Sequence, residues 1–196
     1  GENNALGGNR TGAFRLQLLW TPSERFNALL NVHAWDLDGT ARVFRANILK
    51  PGSNDLASGF SQDKVYQDGL NDQEISSQGG AFTLNYEFDF GTLTAITGYE
   101  TLDMFSRGDI DGGFGAVFAP PSGPGFIPFP SESADGIPDL DQFTQEIRLA
   151  SDTGGAWDWL VGFFYFDESL QADSFSYNSL GGNVQDGYAF QVQDAE

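Results

Sequence analysis

The sequence predicts an all-β fold, an antiparallel up-and-down meander of about seven strands, and three observations support this fold class. Apolar or aromatic residues occupy every even position from Phe82 to Phe90, and a period of two places successive side chains on opposite faces of a strand. After Gly91 the alternation resumes with the other parity, which is typical of a hairpin with a very short turn. The chain also contains 18 Phe and 25 Gly but one Met, a composition typical of strands joined by turns.

Seven strand-like runs follow one another along the chain. They are, in order, 13–20, a run that starts at Phe26, two runs on either side of Gly91, 142–151, 157–169 and a run near Tyr188–Gln193. Short turns lie in "TPSER" (21–25), at Gly91 and in "DTGG" (152–155), long polar stretches cover roughly 39–78 and 107–141, and a looser segment, "DSFSYNSLGGNVQDG" (173–187), precedes the last run. We expect each run to pair with its neighbours in serial antiparallel order.

The alternation of short turns and long loops favours a transmembrane barrel over a two-layer sandwich. Structureless loops of this length are uncommon in compact domains, whereas outer-membrane barrels combine short periplasmic turns, long extracellular loops and strands that are apolar outward and polar inward. Strands of about 9–11 residues cross the hydrocarbon layer at a tilt, and the runs match that length. Six aromatic residues near the short turns are expected to form a girdle at the membrane interface: Trp20, Phe26, Phe88, Phe90, Trp157 and Trp159.

Charge and cysteine content exclude several classes of function. The 196 residues include 9 basic and 28 acidic side chains, for a formal net charge of −19, and a nucleic-acid partner would require clusters of Lys and Arg. Cysteine is absent, which excludes disulfides, thiol catalysis and Cys-based metal sites. No run of about 18 apolar residues is present, so a transmembrane helix is also excluded. The chain starts without Met and ends inside an alternating run, and we expect it to be a segment of a longer protein.

Four stretches resemble the barrel of TonB-dependent outer-membrane receptors. They are "FRLQLLWTPSERFNALLNVHAWDLDG" (14–39), "GTLTAITGYE" (91–100), "QFTQEIRLAS" (142–151) and "WLVGFFYFDE" (159–168). The resemblance implies a 22-stranded barrel closed by an N-terminal plug domain. It also implies energised import of a scarce ligand, such as a ferric siderophore, cobalamin or a glycan, driven by the TonB complex. No plug domain and no TonB box is recognisable, and seven strands cannot close such a barrel. Residues 1–196 are therefore interpreted as part of the barrel domain, located in the outer membrane, in contact with lipid, and coupled to TonB through a plug that this chain lacks.

Two sets of residues are candidates for ligand contact. The first set has the polar parity of the strands and is expected to face the lumen, where it would contact the substrate or the plug: Arg15, Gln17, Glu87, Glu146 and Arg148. The second set consists of aromatic residues on the proline-rich stretch 112–130, a plausible surface for a siderophore or sugar: Phe114, Phe118, Phe126 and Phe129. Packing of these rings against one another or against the barrel rim, simply to order the loop, is slightly favoured.

Neither catalysis nor a metal or cofactor is expected. His33 is the sole histidine, and its polar-parity position favours a lumen or interface residue over a general base. No nucleophile elbow, phosphate loop or metalloprotease motif occurs. The segments "RGDIDGG" (107–113) and "DGIPDLD" (135–141) contain acidic residues that could hold Ca²⁺ through oxygen ligands, but a solvated acidic loop is the favoured interpretation of both.

The leading hypothesis is therefore an uptake receptor of the outer membrane. Two alternatives remain open: a secreted all-β module that binds glycans through its aromatic loops, and a simple porin without energy coupling. The receptor and the porin differ in whether a plug domain and a TonB box precede the barrel. The binding module requires the face with Phe82, Leu84 and Tyr86 to pack against a second sheet.

Overall fold

The protein forms one single-layered antiparallel β-sheet in a computed structural model that describes residues 6–113, 115–118 and 125–196. The strands are β1 (Asn9–Ser23), β2 (Phe26–Gly39), β3 (Asp72–Phe88), β4 (Gly91–Asp109), β5 (Ala116–Phe118), β6 (Gly125–Ile127), β7 (Glu132–Ser151), β8 (Leu160–Asn178) and β9 (Val184–Ala195). Seven of them pair in the order β1-β2-β3-β4-β7-β8-β9, and β5 and β6 form a separate small hairpin. The predicted all-β class and serial up-and-down order are confirmed, while β1 and β9 remain as two open edges.

The strands are longer than the sequence pattern predicted, and the loops are correspondingly shorter. The two long connections cover 40–71 and 110–131, so the acidic segment 135–141, interpreted as a loop, lies inside β7. The interpretation of 173–187 as a looser segment was also wrong, because β8 continues to Asn178 and the turn covers only 179–183. Pairing with a neighbouring strand on each side supplies hydrogen bonds that outweigh the turn-forming tendency of Gly, Pro and Asp.

The third short connection covers residues 152–159 rather than only 152–155. Ser151 N donates to the carbonyl oxygen of Trp159 (2.8 Å), and Trp159 N donates to Ser151 Oγ (2.7 Å). Trp157 and Trp159 therefore lie in the turn and not in the strand that was predicted to begin at 157. All three short connections lie at the same end of the sheet, because Asp152 N donates to the carbonyl oxygen of Phe90 (2.9 Å) and Glu87 N to that of Arg25 (2.8 Å).

Strand register sorts the side chains onto two different faces. One row across six strands contains Trp20, Ala28, Leu84, Ala95, Ile147 and Phe163. Directly paired residues share a face, so we call this side the apolar face. The opposite side is the polar face, and one of its rows contains Arg15, His33, Gly79, Glu100, Gln142 and Glu168. The alternation seen in the sequence is thus aligned from strand to strand.

A β-bulge in β7 reverses this alternation near the long loops. Leu140 pairs with Leu102 but Ile137 pairs with Met104, so two residues of β7 lie opposite Asp103 alone. Pro138, which lacks an N–H and is confined to edges and bulges in sheets, lies in this irregularity. Between the bulge and the short turns, odd-numbered residues of β7 lie on the apolar face. Between the bulge and the long loops, even-numbered residues lie on that face.

No part of residues 6–113, 115–118 and 125–196 forms a second layer against the apolar face. Among the described residues the buried apolar side chains are four alanines, Ala28, Ala41, Ala116 and Ala134. Phe82 and Tyr86 are exposed and Leu84 is half-buried, so they do not pack against another sheet within the described residues. The chain exposes 13251 Å², whereas a compact protein of 21.3 kDa would expose roughly 9,000 Å². The extra area is what a sheet without a core presents.

Replacing Gly79 by alanine should destabilise the sheet, because Glu100 crosses the backbone at this residue to lie 3.0 Å from His33 Nε2. A Cβ at Gly79 would overlap Glu100 Oε2 and lie 2.6 Å from the carbonyl oxygen of Tyr99. We expect Gly79→Ala to lower the free energy of unfolding by about 1–3 kcal/mol, as overpacking does. Urea unfolding followed by tryptophan fluorescence, in the medium in which the wild-type protein folds, measures this change.

Gly12→Ala is the matched control, because a Cβ at Gly12 meets no atom within 4 Å. This substitution should leave the urea midpoint unchanged or raise it slightly, since alanine has less freedom to lose in the unfolded chain. Equal midpoints for the two variants would contradict the close approach at Gly79.

Candidate functional site

All five residues predicted to face a lumen lie together on the polar face. Arg15 pairs with His33 and Gln17 with Asn31 across β1 and β2, and Glu87 pairs with Thr92 across β3 and β4. On β7, Arg148 Nη1 lies 3.2 Å from Glu146 Oε1. The set is therefore spread over one continuous surface rather than gathered at one point, and its contact with a substrate or plug stays a prediction.

Side-chain hydrogen bonds tie the strands together across the polar face. Asn85 Nδ2 donates to Asn27 Oδ1 (2.9 Å), and Thr94 Oγ1 donates to Asn85 Oδ1 (2.8 Å). The three residues stand side by side on β2, β3 and β4. This arrangement provides a hydrogen-bonding surface, on which His33 Nε2 also lies 3.0 Å from Glu100 Oε2.

Aromatic residues form a cluster at the end of the apolar face where the short turns lie. The ring centroids of Trp20 and Phe26 are 5.4 Å apart, those of Tyr86 and Phe88 are 4.7 Å apart, and Phe88 stacks on Phe90 at 5.2 Å. Phe26 pairs with Tyr86 in the sheet, which joins the two groups. The predicted interface aromatics of the first two turns are thus in contact, and their position at a membrane boundary stays a prediction.

The apolar face changes to an acidic surface towards the long loops. On β2 it is apolar from Phe26 to Ala34, a distance of about 27 Å at the usual rise per residue. Asp36 and Asp38 then follow on the same face, and Asp103 takes the corresponding position on β4. An open groove of about 780 Å³ crosses this acidic half, and none of the predicted site residues lines it.

The four loop phenylalanines are only partly within the described residues. Phe114 lies outside them, and Phe118 ends β5. Phe126 is exposed on β6 opposite Val117, which is also exposed, whereas Phe129 is half-buried. The structure thus presents one exposed apolar pair on this hairpin.

A buried group of charged residues lies where the two long loops meet the ends of β4 and β7. Arg107 Nε forms an ion pair with Glu132 Oε2, and its guanidinium carbon lies 3.9 Å from the centre of the Tyr177 ring. The other carboxylate oxygen of Glu132 accepts a hydrogen bond from Leu70 N (2.8 Å) in the first long loop. Arg107 and Glu132 therefore hold the first loop against the sheet.

Three aspartates lie beside this ion pair. One carboxylate oxygen from each of Asp68, Asp109 and Asp111 lies within 4.8 Å of the others. Asp109 is fully buried and Asp111 is 6% exposed, so the interpretation of 107–113 as a solvated acidic loop is wrong for both. Desolvation, followed by the neighbouring Asp109, raises the pKa of Asp111 to about 6 and also raises the pKa of Asp68. The site therefore holds acidic groups in an environment that disfavours their charge.

Sequence reasoning identified only part of this cluster. The "DID" spacing marked Asp109 and Asp111. Asp68 lies in the loop between β2 and β3 and Glu132 is the first residue of β7, and neither carries a local signal. Asp68 N and Gly69 N lie 3.4 Å from Asp109 Oδ2, and this contact depends on how the first long loop folds back. By contrast, Asp135 and Asp139 are exposed, as the solvated interpretation of their segment requires.

No protein-family model, curated protein or solved structure matches the chain. Within the part of the chain that the structure describes, no helix has the length and apolar character needed to cross a membrane.

Removing the guanidinium of Arg107 should destabilise the loop end of the sheet, because the side chain of Glu132 is only 2% exposed. We expect Arg107→Ala to cost about 3–5 kcal/mol, the usual effect of leaving one member of a buried ion pair without its partner. The free energy of unfolding in urea, with the rate of proteolysis within 40–71 as a local readout, measures this cost.

Arg10→Ala removes the same charge from an exposed pair, in which the side chain of Arg10 is 85% exposed beside Asp38. Its effect should stay below about 1 kcal/mol. If the two variants unfold alike and are cut at the same rate, Arg107 does not anchor the loop.

Proposed function

We propose that this chain forms part of the wall of an outer-membrane β-barrel receptor of the TonB-dependent type. In this proposal the receptor imports a scarce ligand, such as a ferric siderophore, cobalamin or a glycan. The sheet supplies barrel wall and extracellular loops. A plug domain outside this chain gates the pore and contacts TonB.

The observation that carries the proposal is the uncovered apolar face. Ten large apolar side chains on it are at least 38% exposed: Phe14, Leu16, Leu18, Trp20, Leu30, Phe82, Tyr86, Ile147, Val161 and Phe163. Burying the exposed half of such side chains is worth on the order of 10 kcal/mol in total. That is as much as the whole stability of a typical domain, so the face requires a cover, and the described part of this chain does not supply one.

Lipid fits this face better than a second protein layer does. The apolar stretch on β2 is about 27 Å long. At the usual strand tilt of about 35–45° it covers roughly 19–22 Å along the membrane normal, which is most of the apolar band, about 25 Å tall, of transmembrane barrels. The aromatic cluster bounds it at the short turns, and aspartates bound it towards the long loops. A protein partner would place no such constraint on both limits of the face.

The open edges and the polar face support a larger closed barrel. β1 and β9 each leave one row of backbone N–H and C=O groups without a partner strand in the described chain, and further strands on both sides would satisfy them. The polar face presents the Asn27–Asn85–Thr94 hydrogen bonds together with apolar Leu160 and Phe164. A mixed surface of this kind suits contact with a plug domain better than contact with bulk water.

The two alternatives make different demands on the same features. A secreted glycan-binding module would use the exposed Val117–Phe126 pair of the β5–β6 hairpin, but it would leave the apolar face in water. A porin would use the same wall as the receptor without energy coupling, so only a transport measurement separates the two.

We expect cysteine labelling to show that lipid contacts only the apolar face of the sheet. We expect a fluorophore on Leu18→Cys or Phe163→Cys to be quenched by a lipid-borne quencher, because both residues lie on the apolar face. The label on Leu19→Cys or Phe164→Cys should escape it, since these neighbours lie on the polar face. The measurement uses the intact protein that contains this chain in isolated outer membranes, and residues 1–196 add no native thiol.

Each pair is its own control, because its members have the same side chain and equal exposure: 61% and 62% for the leucines, 60% and 61% for the phenylalanines. Equal quenching within both pairs, or none in either, would overturn the membrane orientation. A protein that is monomeric in buffer and absent from membranes would favour the secreted module.

Energy coupling is tested separately from orientation. Cells that produce the intact protein are given labelled ferric siderophores, cobalamin or oligosaccharides, with TonB either functional or inactivated. Uptake that stops when TonB is inactivated supports the receptor. Uptake that continues at the same rate indicates a porin.

A further inference from the structure

The cluster of Asp68, Asp109 and Asp111 has a charge that its surroundings do not balance. The ion pairs among the described residues include none to these three carboxylates. Arg107, the cation nearest to Asp109 and Asp111 along the chain, is already bound to Glu132. Buried carboxylates are paired with cations or bind metal ions, because burying the charge alone is too costly.

Hydrogen bonding leaves several of these oxygens without a donor. Asp111 is only 6% exposed, and its Oδ2 has no hydrogen-bond partner among the described residues. Neither carboxylate oxygen of Asp68 has a partner among these residues. The backbone N–H groups that reach Asp109 are 3.3–3.4 Å away, which is long for bonds to a charged acceptor. The free lone pairs belong to groups that already lie within 4.8 Å of one another.

The spacing and chemistry of these oxygens fit a hard divalent cation. Oxygens that all lie within 4.8 Å of one another fit around one Ca²⁺ ion, because two oxygens bonded to the same ion at about 2.3–2.6 Å are at most roughly 5 Å apart. Neither a histidine nor a cysteine joins the cluster, which argues against zinc. Ligands contributed by two separate loops tolerate the irregular geometry of Ca²⁺ better than the strict octahedron of Mg²⁺.

We propose that Asp68, Asp109 and Asp111 bind one Ca²⁺ ion, which ties the loop between β2 and β3 to the start of the loop between β4 and β7. Backbone carbonyls or water complete its coordination. This site goes beyond the proposed transport function and does not depend on it. The ion replaces mutual repulsion of three carboxylates by attraction to a common centre.

The test titrates CaCl₂ into the intact metal-free protein in detergent and follows binding by calorimetry and loop order by limited proteolysis within 40–71. We expect binding at about 1 mM or below, the range of extracellular sites, together with slower cleavage of the loop. Asp111→Asn and Asp68→Asn should each weaken Ca²⁺ binding at least tenfold. Asp135→Asn, which changes an exposed acid on β7, should bind Ca²⁺ like the wild-type protein.

Urea unfolding of the variants without metal shows whether a loss of Ca²⁺ binding is caused by misfolding. In EDTA, Asp111→Asn and Asp68→Asn should unfold at the same urea concentration as the wild-type protein or at a higher one, because each removes a repelling charge. Ca²⁺ that neither binds nor slows cleavage would overturn the proposal, as would unchanged binding to both variants. Protection in EDTA at pH 5 without any effect of Ca²⁺ at pH 7 would show that the carboxylates share protons instead.

Discussion

The backbone hydrogen-bond ladder is the interaction on which this structure depends, because the described residues form no hydrophobic core behind it. Each strand is positioned by its neighbours alone, and the buried apolar side chains of the described residues are alanines. Such a ladder determines which residues share a row, but it does not shield the side chains of either face from the surrounding medium. The environment must therefore complete the fold. In the receptor that we propose, lipid on one face and a polar interior on the other satisfy that requirement with a single layer of strands.

The same ladder makes the two faces interdependent. A slip of one residue between neighbouring strands would move every side chain of a strand to the other face. Contacts that span three strands oppose such a slip, as in the approach of Glu100 to His33 over Gly79 and in the Asn27–Asn85–Thr94 bonds. The polar face thus fixes the register that keeps the apolar face continuous.

Periodicity predicted the class, the strand order and the sorting of residues onto faces, because these follow from alternation that each strand carries locally. Periodicity did not predict the structure of segments whose conformation depends on pairing with neighbouring strands. Residues 135–141 have the composition of a loop but lie in a strand paired on both sides, and Trp157 and Trp159 lie in a turn. Asp68 reaches Asp109 only through the path of a 32-residue connection between β2 and β3, and no local pattern encodes such a path.

The bulge in β7 exchanges the odd-numbered and even-numbered residues between the two faces of the sheet. Because of the extra residue beside Pro138, Glu132 emerges on the same side as Arg107, Asp109 and Tyr177. A strand without that residue would send Glu132 to the opposite side and leave Arg107 without its carboxylate. The single extra residue lets β7 form part of a regular sheet towards the short turns and part of a charged cluster beside the long loops. Loss of Pro138 would thus move Glu132 away from Arg107 while leaving the strand pairing between the bulge and the short turns unchanged.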